Sequence, residues 1–83
     1  MNFRVYSKPS CKACEDAKEL LASNFIPFEE MIIDIGQPKD PQKSYVSVKS
    51  LKDTVPTAQT VPQILNGDEL VGGLEALKRY LNK

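Results

Sequence analysis

Histidine and tryptophan are absent from the 83 residues, and cysteine occurs only twice. Without histidine the chain lacks the commonest general base near neutral pH and the commonest zinc ligand. Neither sign of charge is in excess, since 11 basic residues balance 11 acidic ones. A general nucleic-acid binder needs a basic surplus to neutralise phosphates, so the balance argues against that class. No apolar run approaches the ~20 residues of a membrane span. The opening Met1-Asn2-Phe3-Arg4-Val5-Tyr6 has no signal-peptide pattern. The expectation is a soluble, cytoplasmic protein that engages neither nucleic acid nor membrane. Two cysteines are also too few for a disulfide scaffold.

What is present suits one domain over residues 1–83. Hydrophobic residues at 41% and charged ones at 27% are the ordinary mixture of a globular domain. A chain of this size buries only ~60–65% of its unfolded surface, so the core is small.

Phe3-Arg4-Val5-Tyr6 predicts a first strand over about 2–7. Ser7-Lys8-Pro9-Ser10 reads as a turn, with Ser10 as the helix N-cap and Cys11 at the first helical position. Cys14, Ala17, Leu20 and Leu21 then recur at helical spacing as far as Asn24. Met31, Ile33 and Ile35 mark a second strand over about 28–35, and Ile32 between them suits a strand covered on both faces. A polar loop follows at Gly36–Asp40. Tyr45, Val48, Leu51 and Lys52 predict a helix over about 41–53, although Val46, Ser47 and Val48 are weak helix formers. Pro56 stops it. Pro62–Leu65 is a short strand, Asn66-Gly67 a hairpin signal and Glu69–Val71 the returning strand. After Gly72-Gly73, the residues Leu74, Leu77, Tyr80 and Leu81 define a last helix. Leu20, Leu21, Ile33, Leu51, Ile64, Leu77 and Leu81 are assigned to packing. The order is β-α-β-α-β-β-α, and its first unit should be a right-handed parallel crossover.

Chemistry concentrates at Cys11-Lys12-Ala13-Cys14. A C-x-x-C pair near the start of such a chain reads as a redox pair. The thiolate is the nucleophile of disulfide exchange, and a helix N-terminus stabilises it. Cys11 should therefore be exposed and acidic, and Cys14, one turn deeper, buried and protonated. Lys8 and Lys12 add positive charge, Asp16 can neutralise part of it, and Glu15, four residues after Cys11, opposes the thiolate. The balance is a lowered Cys11 pKa. A permanent staple across so short a loop would stabilise by only ~2 kcal/mol. A zinc site needs four ligands, so no metal is expected.

Tyr6-Ser7-Lys8-Pro9-Ser10-Cys11-Lys12-Ala13-Cys14 resembles the active-site segment of the glutaredoxins. Thr60-Val61-Pro62-Gln63-Ile64 is similar to that family's threonine-valine-cis-proline segment. Gly72-Gly73-Leu74-Glu75-Ala76-Leu77 resembles the double-glycine motif that leads into its last helix. The three fall in the family's order, and the element order agrees along essentially the whole chain. Thr-Val-Pro occurs at 54–56 as well as at 60–62. Only the second precedes an apolar strand at a spacing that suits one hairpin, so the cis-proline role falls to Pro62.

The resemblance implies a thioredoxin-like fold of the glutaredoxin type, with a four-stranded mixed sheet of order 2-1-3-4 and helices on both faces. It implies that the Val61 backbone, in the segment shared with Thr60 and Pro62, turns outward beside Cys11 to pair with an extended peptide or glutathione. The side-chain-free backbone of Gly72 and Gly73 would let the ligand approach. The N–H groups of Leu74 and Glu75 would hold its γ-glutamyl α-carboxylate, and Lys8 would meet its glycyl carboxylate. The implied activity is glutathione-dependent thiol–disulfide exchange in a monomer, with Cys11 attacking and Cys14 resolving. No group is bound; glutathione is the reductant, and a glutathione reductase supports it indirectly. Protein disulfides are the acceptors, ribonucleotide reductase being the family's best known. Direct reduction by a thioredoxin reductase, a glutathione-ligated iron–sulfur carrier and a non-catalytic binding module stand as alternatives. Lys12 and Ala13 replace the family's usual proline and tyrosine, Glu75 replaces its usual aspartate, and the Asn-Gly turn lies one residue nearer the proline than in many members.

Overall fold

Successive side chains of a strand point to opposite faces, and the first strand, β1 (Phe3–Ser7), uses this to divide the molecule into two cores. Phe3 and Val5 join Ala17, Leu21, Ile64 and Leu77 on one face. Tyr6 joins Ile33, Leu51, Val55, Ala58 and Leu65 on the other. The computed structural model describes residues 2–82. After β1 come α1 (Lys12–Ser23), β2 (Phe28–Ile33), β3 (Ser44–Val46), α2 (Val48–Thr54), β4 (Gln63–Asn66), β5 (Glu69–Gly72) and α3 (Leu74–Leu81). Helices α1 and α3 supply the first core and α2 the second, so helices cover both faces of the sheet.

The sheet order is β3-β2-β1-β4-β5. β1 pairs in parallel with β2, Tyr6 opposite Met31, and antiparallel with β4, Val5 opposite Ile64. The expected order 2-1-3-4 is thus present as β2-β1-β4-β5, and the four-strand expectation is corrected to five strands. The added edge strand arises where a helix over 41–53 was expected. Tyr45 and Val46 are aromatic and β-branched, which favours extended backbone, and they pair with Ile32 and Ile33 of β2. Ser47 then starts the helix late, its hydroxyl accepting the Ser50 N–H at 3.0 Å. Val48 is consequently a first-turn residue, 47% exposed, rather than part of a buried stripe.

The second strand ends at Ile33, not at 35. The Asp34 carboxylate accepts the Gly36 N–H at 3.0 Å, and Gly36 takes φ 87°, so the chain turns there and leaves Ile35 61% exposed. At the hairpin Asn66 pairs with Glu69, and Gly67 takes the first central position with φ 62°, as a two-residue II′ turn requires.

Candidate active site

β1 delivers the chain to a turn in which Ser10 has φ 57°. The helix N-cap is therefore Cys11, one residue later than expected from Ser10. Its backbone is extended, and its Sγ accepts the N–H of Cys14 at 3.2 Å. A sulfur here takes the place of the usual capping oxygen. Cys11 and Cys14, with Cα atoms 5.2 Å apart, are joined as a disulfide. Cys14 is 1% exposed and Cys11 partly exposed, so an incoming group reaches the Cys11 sulfur first.

The three segments singled out in the sequence converge here. The Val61 carbonyl oxygen lies 4.0 Å from Cys11 Sγ. The Val61–Pro62 peptide bond is cis; Pro62 is buried and Thr60 exposed. A Cβ placed on Gly73 would lie 3.6 Å from the Pro62 carbonyl oxygen, which brings the third segment beside the second. Gly72 has φ 120°, and a Cβ there would come within 2.8 Å of the Ala76 Cβ, so the hairpin reaches α3 only with glycine at this position. Gly73 is the N-cap of α3 and provides no side chain to cap it, so the helix opens at Leu74 and Glu75 without side-chain cover.

Lys8 is exposed and, with Thr60 and Val61, lines a groove of about 180 Å³. Lys52 lines the same groove. Sequence alone does not single it out; the available signal is a lysine next to the buried Leu51 in the last turn of α2.

The charges on α1 that follow the cysteines are neutralised in pairs. Lys12 binds Asp16 at 2.7 Å, and that hydrogen bond and charge raise its pKa above the ordinary value. Glu15 is paired with Lys18, which also binds Glu30 at 2.8 Å. The buried Ser7 hydroxyl donates to the same Glu30 oxygen at 2.8 Å. Burial pushes the Glu30 carboxyl upward, but the hydrogen bonds from Lys18 and Ser7 outweigh it and hold the group below its ordinary value. Burial likewise pushes Lys18 downward, and its bonds to Glu15 and Glu30 more than reverse that. Glu75 turns to Lys78 at 3.3 Å. Glu15, expected to oppose the thiolate, and Glu75, which replaces the usual aspartate, are thus each engaged by a lysine.

Reduction of the disulfide would leave a Cys11 sulfur at a helix start with the Cys14 N–H aimed at it. That donor favours the thiolate, the form that attacks disulfides.

A family model described as Glutaredoxin matches residues 4–71. Glutaredoxin 3 of Escherichia coli strain K12 is 32% identical over 76 residues, covering 92% of this chain and 81% of that protein. The hybrid peroxiredoxin hyPrx5 of Haemophilus influenzae is 32% identical over 79 residues; the match covers 95% of this chain but spans only 29% of that protein's length. The crystal structure of glutaredoxin 1 from Francisella tularensis, complexed with cacodylate, aligns with a TM-score of 0.71 at 30% identity, covering 99% of this chain and 98% of that one.

Proposed function

The chain belongs to the glutaredoxin family, has its thioredoxin-like fold and is a thiol–disulfide oxidoreductase; we propose that it is a dithiol enzyme regenerated by glutathione, with residues 1–83 acting as one monomeric domain. The observation that carries the reading is the position of the Cys11 sulfur. It is the accessible half of the disulfide and lies 4.0 Å from the carbonyl of Val61, which lines one groove with Lys8 and is followed by Pro62, the neighbour of Gly73 at the start of α3.

In the reductive half, the Cys11 thiolate attacks one sulfur of a substrate disulfide. The substrate S–S bond breaks, and one substrate thiolate leaves and takes a proton. Cys14 loses its proton and attacks the Cys11 sulfur, closing the Cys11–Cys14 bond and releasing the second substrate thiol. The substrate has gained two electrons and the protein has lost two. Glutathione thiolate then attacks Cys11, Cys14 leaves as the thiol, and a second glutathione attacks the mixed disulfide to release oxidised glutathione. A separate glutathione reductase restores the tripeptide. This cycle needs a reducing compartment such as the cytoplasm. Glutathione would lie extended, its γ-glutamyl carboxylate at the N–H groups of Leu74 and Glu75, its backbone along Thr60, Val61 and Pro62, and its glycyl carboxylate at Lys8. Gly72 and Gly73 keep that path free of side chains.

The test is reduction of a glutathione mixed disulfide by the wild type, Cys11→Ser and Cys14→Ser. Cys11→Ser should abolish turnover. Cys14→Ser should retain it, because this route needs only the attacking thiol, while losing most reduction of protein disulfides. Equal loss in both variants on the small substrate would refute the assignment of roles. Turnover with a thioredoxin reductase and none with glutathione would refute the choice of reductant.

A further inference from the structure

We propose that the groove beside Cys11 selects protein substrates by the residues that follow their reactive cysteine: a bulky apolar side chain, then an acidic group. The inference rests on the proposed function and names the substrate class of the same site. Ile33 and Leu51, buried at 5% and 6%, form the floor of the groove. Ile35 and Val48, 61% and 47% exposed, stand at its sides and leave apolar surface uncovered in a groove that Val61, whose carbonyl lies 4.0 Å from the Cys11 sulfur, also lines. Isolated exposed apolar residues need no explanation, but two of them flanking one groove at a reactive centre do.

The volume of about 180 Å³ is enough for a large side chain, since a cavity of about 150 Å³ holds a benzene molecule. Glutathione has no side chain to put there, because the residue after its cysteine is glycine. With the γ-glutamyl end at α3 and the glycyl end at Lys8, residues that follow the cysteine enter the groove. Extended chain advances about 3.2–3.4 Å per residue, so the first or second side chain after the cysteine falls over the apolar floor.

The charges identify what lies beyond. Lys8 and Lys52 both line the groove and no aspartate or glutamate does. Among the described residues neither lysine forms an ion pair, nor does Lys43 outside the groove, whereas Lys12, Lys18, Lys39, Lys49 and Lys78 all do. A groove with an apolar floor and two unengaged cations fits a peptide that is apolar and then acidic. A basic peptide would meet like charge.

The test uses the full chain, pre-reduced so that no reductase enters, in single-turnover reactions with symmetrical disulfides of three peptides: Gly-Gly-Cys-Leu-Leu-Asp, Gly-Gly-Cys-Gly-Gly-Asp and Leu-Leu-Cys-Gly-Gly-Asp. Each turnover oxidises one protein dithiol and releases two peptide thiols, which are counted. The first peptide should react about tenfold faster than the other two, the gain expected from partly burying one leucine-sized side chain. Ile35→Ser with Val48→Ser should reduce that preference to within about twofold and leave glutathione disulfide reduction unchanged. Lys52→Glu, an exposed change that keeps the floor, should slow the first peptide and speed a fourth, Gly-Gly-Cys-Leu-Leu-Lys. Wild-type rates within about twofold on all three peptides, or a leucine preference that survives in the double variant, would overturn the proposal. Failure of the wild type to reduce glutathione disulfide, with its leucine preference intact and lost in the double variant, would overturn the glutathione reading and support the groove's selectivity.

Discussion

Lys18→Met tests the charge cluster under the active-site helix most directly. Lys18 joins α1 to β2 by holding Glu30, and it also holds Glu15 on its own helix. Methionine keeps the apolar stem and removes the charge. Glu30 is then left with the Ser7 hydroxyl and the weaker attraction of Lys43. Breaking a fully buried pair costs 3–5 kcal/mol, and an exposed pair contributes at most about 1. The Lys18 and Glu30 side chains are 21% and 22% exposed, so solvent screens them in part. The expected loss at pH 7 is about 2 kcal/mol, or a fall in Tm of roughly 8–16 °C for a domain of this size.

The pH dependence separates this account from a mere packing defect. In the wild type Glu30 is held below its ordinary 4.5. Its contribution is therefore full above that value and is lost as pH falls through the lowered one. In Lys18→Met the carboxyl moves upward, because burial is then opposed only by the Ser7 hydroxyl and the weaker attraction of Lys43. The variant's carboxyl takes up a proton early, so the penalty shrinks as pH falls from 7 toward 4.5. Urea denaturation at both pH values measures the difference. The gap between wild type and variant should narrow by at least half at the lower pH, and adding Glu30→Gln should recover most of the loss at pH 7, since a neutral pair leaves no buried charge. An equal gap at both pH values, or no recovery in the double variant, would refute the reasoning.

Lys12→Ala should leave the pH profile of iodoacetamide labelling of Cys11 nearly unmoved, because Asp16 at 2.7 Å already neutralises that lysine; a clear shift would show that its charge reaches the thiolate. Lys8→Ala should weaken glutathione-dependent turnover by roughly tenfold at low salt, with a smaller loss at high salt, and leave reduction by dithiothreitol unchanged; steady-state kinetics at two ionic strengths decides. Gly72→Ala should cost about 1–3 kcal/mol in urea denaturation, since φ 120° and the 2.8 Å approach to Ala76 both resist a side chain.

The parts of the fold legible in the sequence are those in which local pattern and tertiary placement agree. Alternation in Phe3–Tyr6 and helical spacing from Cys14 to Leu21 have short-range causes and lie within β1 and α1, and the glycine turns at Gly67 and Gly73 fall between observed elements. The stretch 41–53 failed because its pattern was shared. Tyr45, Val48, Leu51 and Lys52 fit a helical face, yet Tyr45 and Val46 are strand formers, and an open edge on β2 settled the contest. No local rule announces that edge. The candidate site was legible as three motifs, but its geometry was not. That Cys11 rather than Ser10 caps the helix depends on Ser10 being used in the turn at φ 57°. That Glu15 and Glu75 are engaged elsewhere depends on Lys18 and Lys78 lying three residues along each helix. That spacing could have been read, had the pairing been sought along each helix rather than toward the cysteine.

These pairings also separate two tasks that the sequence had merged. Lys8 and Lys12 both flank Cys11 in sequence and share the expectation of stabilising its thiolate, while Lys8 alone is also expected to meet a ligand carboxylate. In the fold Lys12 is bound to Asp16, while Lys8 lines a groove with Lys52. Stabilisation of the attacking sulfur then falls to the backbone: the Cys14 N–H at 3.2 Å and the start of α1 behind it. A helix end is fixed by the fold and is little affected by surface substitution. The exposed cations Lys8 and Lys52 remain available to the ligand in the groove that Val61 also lines. Mutation of Lys8 or Lys52 should therefore change which disulfides are recognised, and only a change at Cys11, Cys14 or the first turn of α1 should change how readily the sulfur attacks.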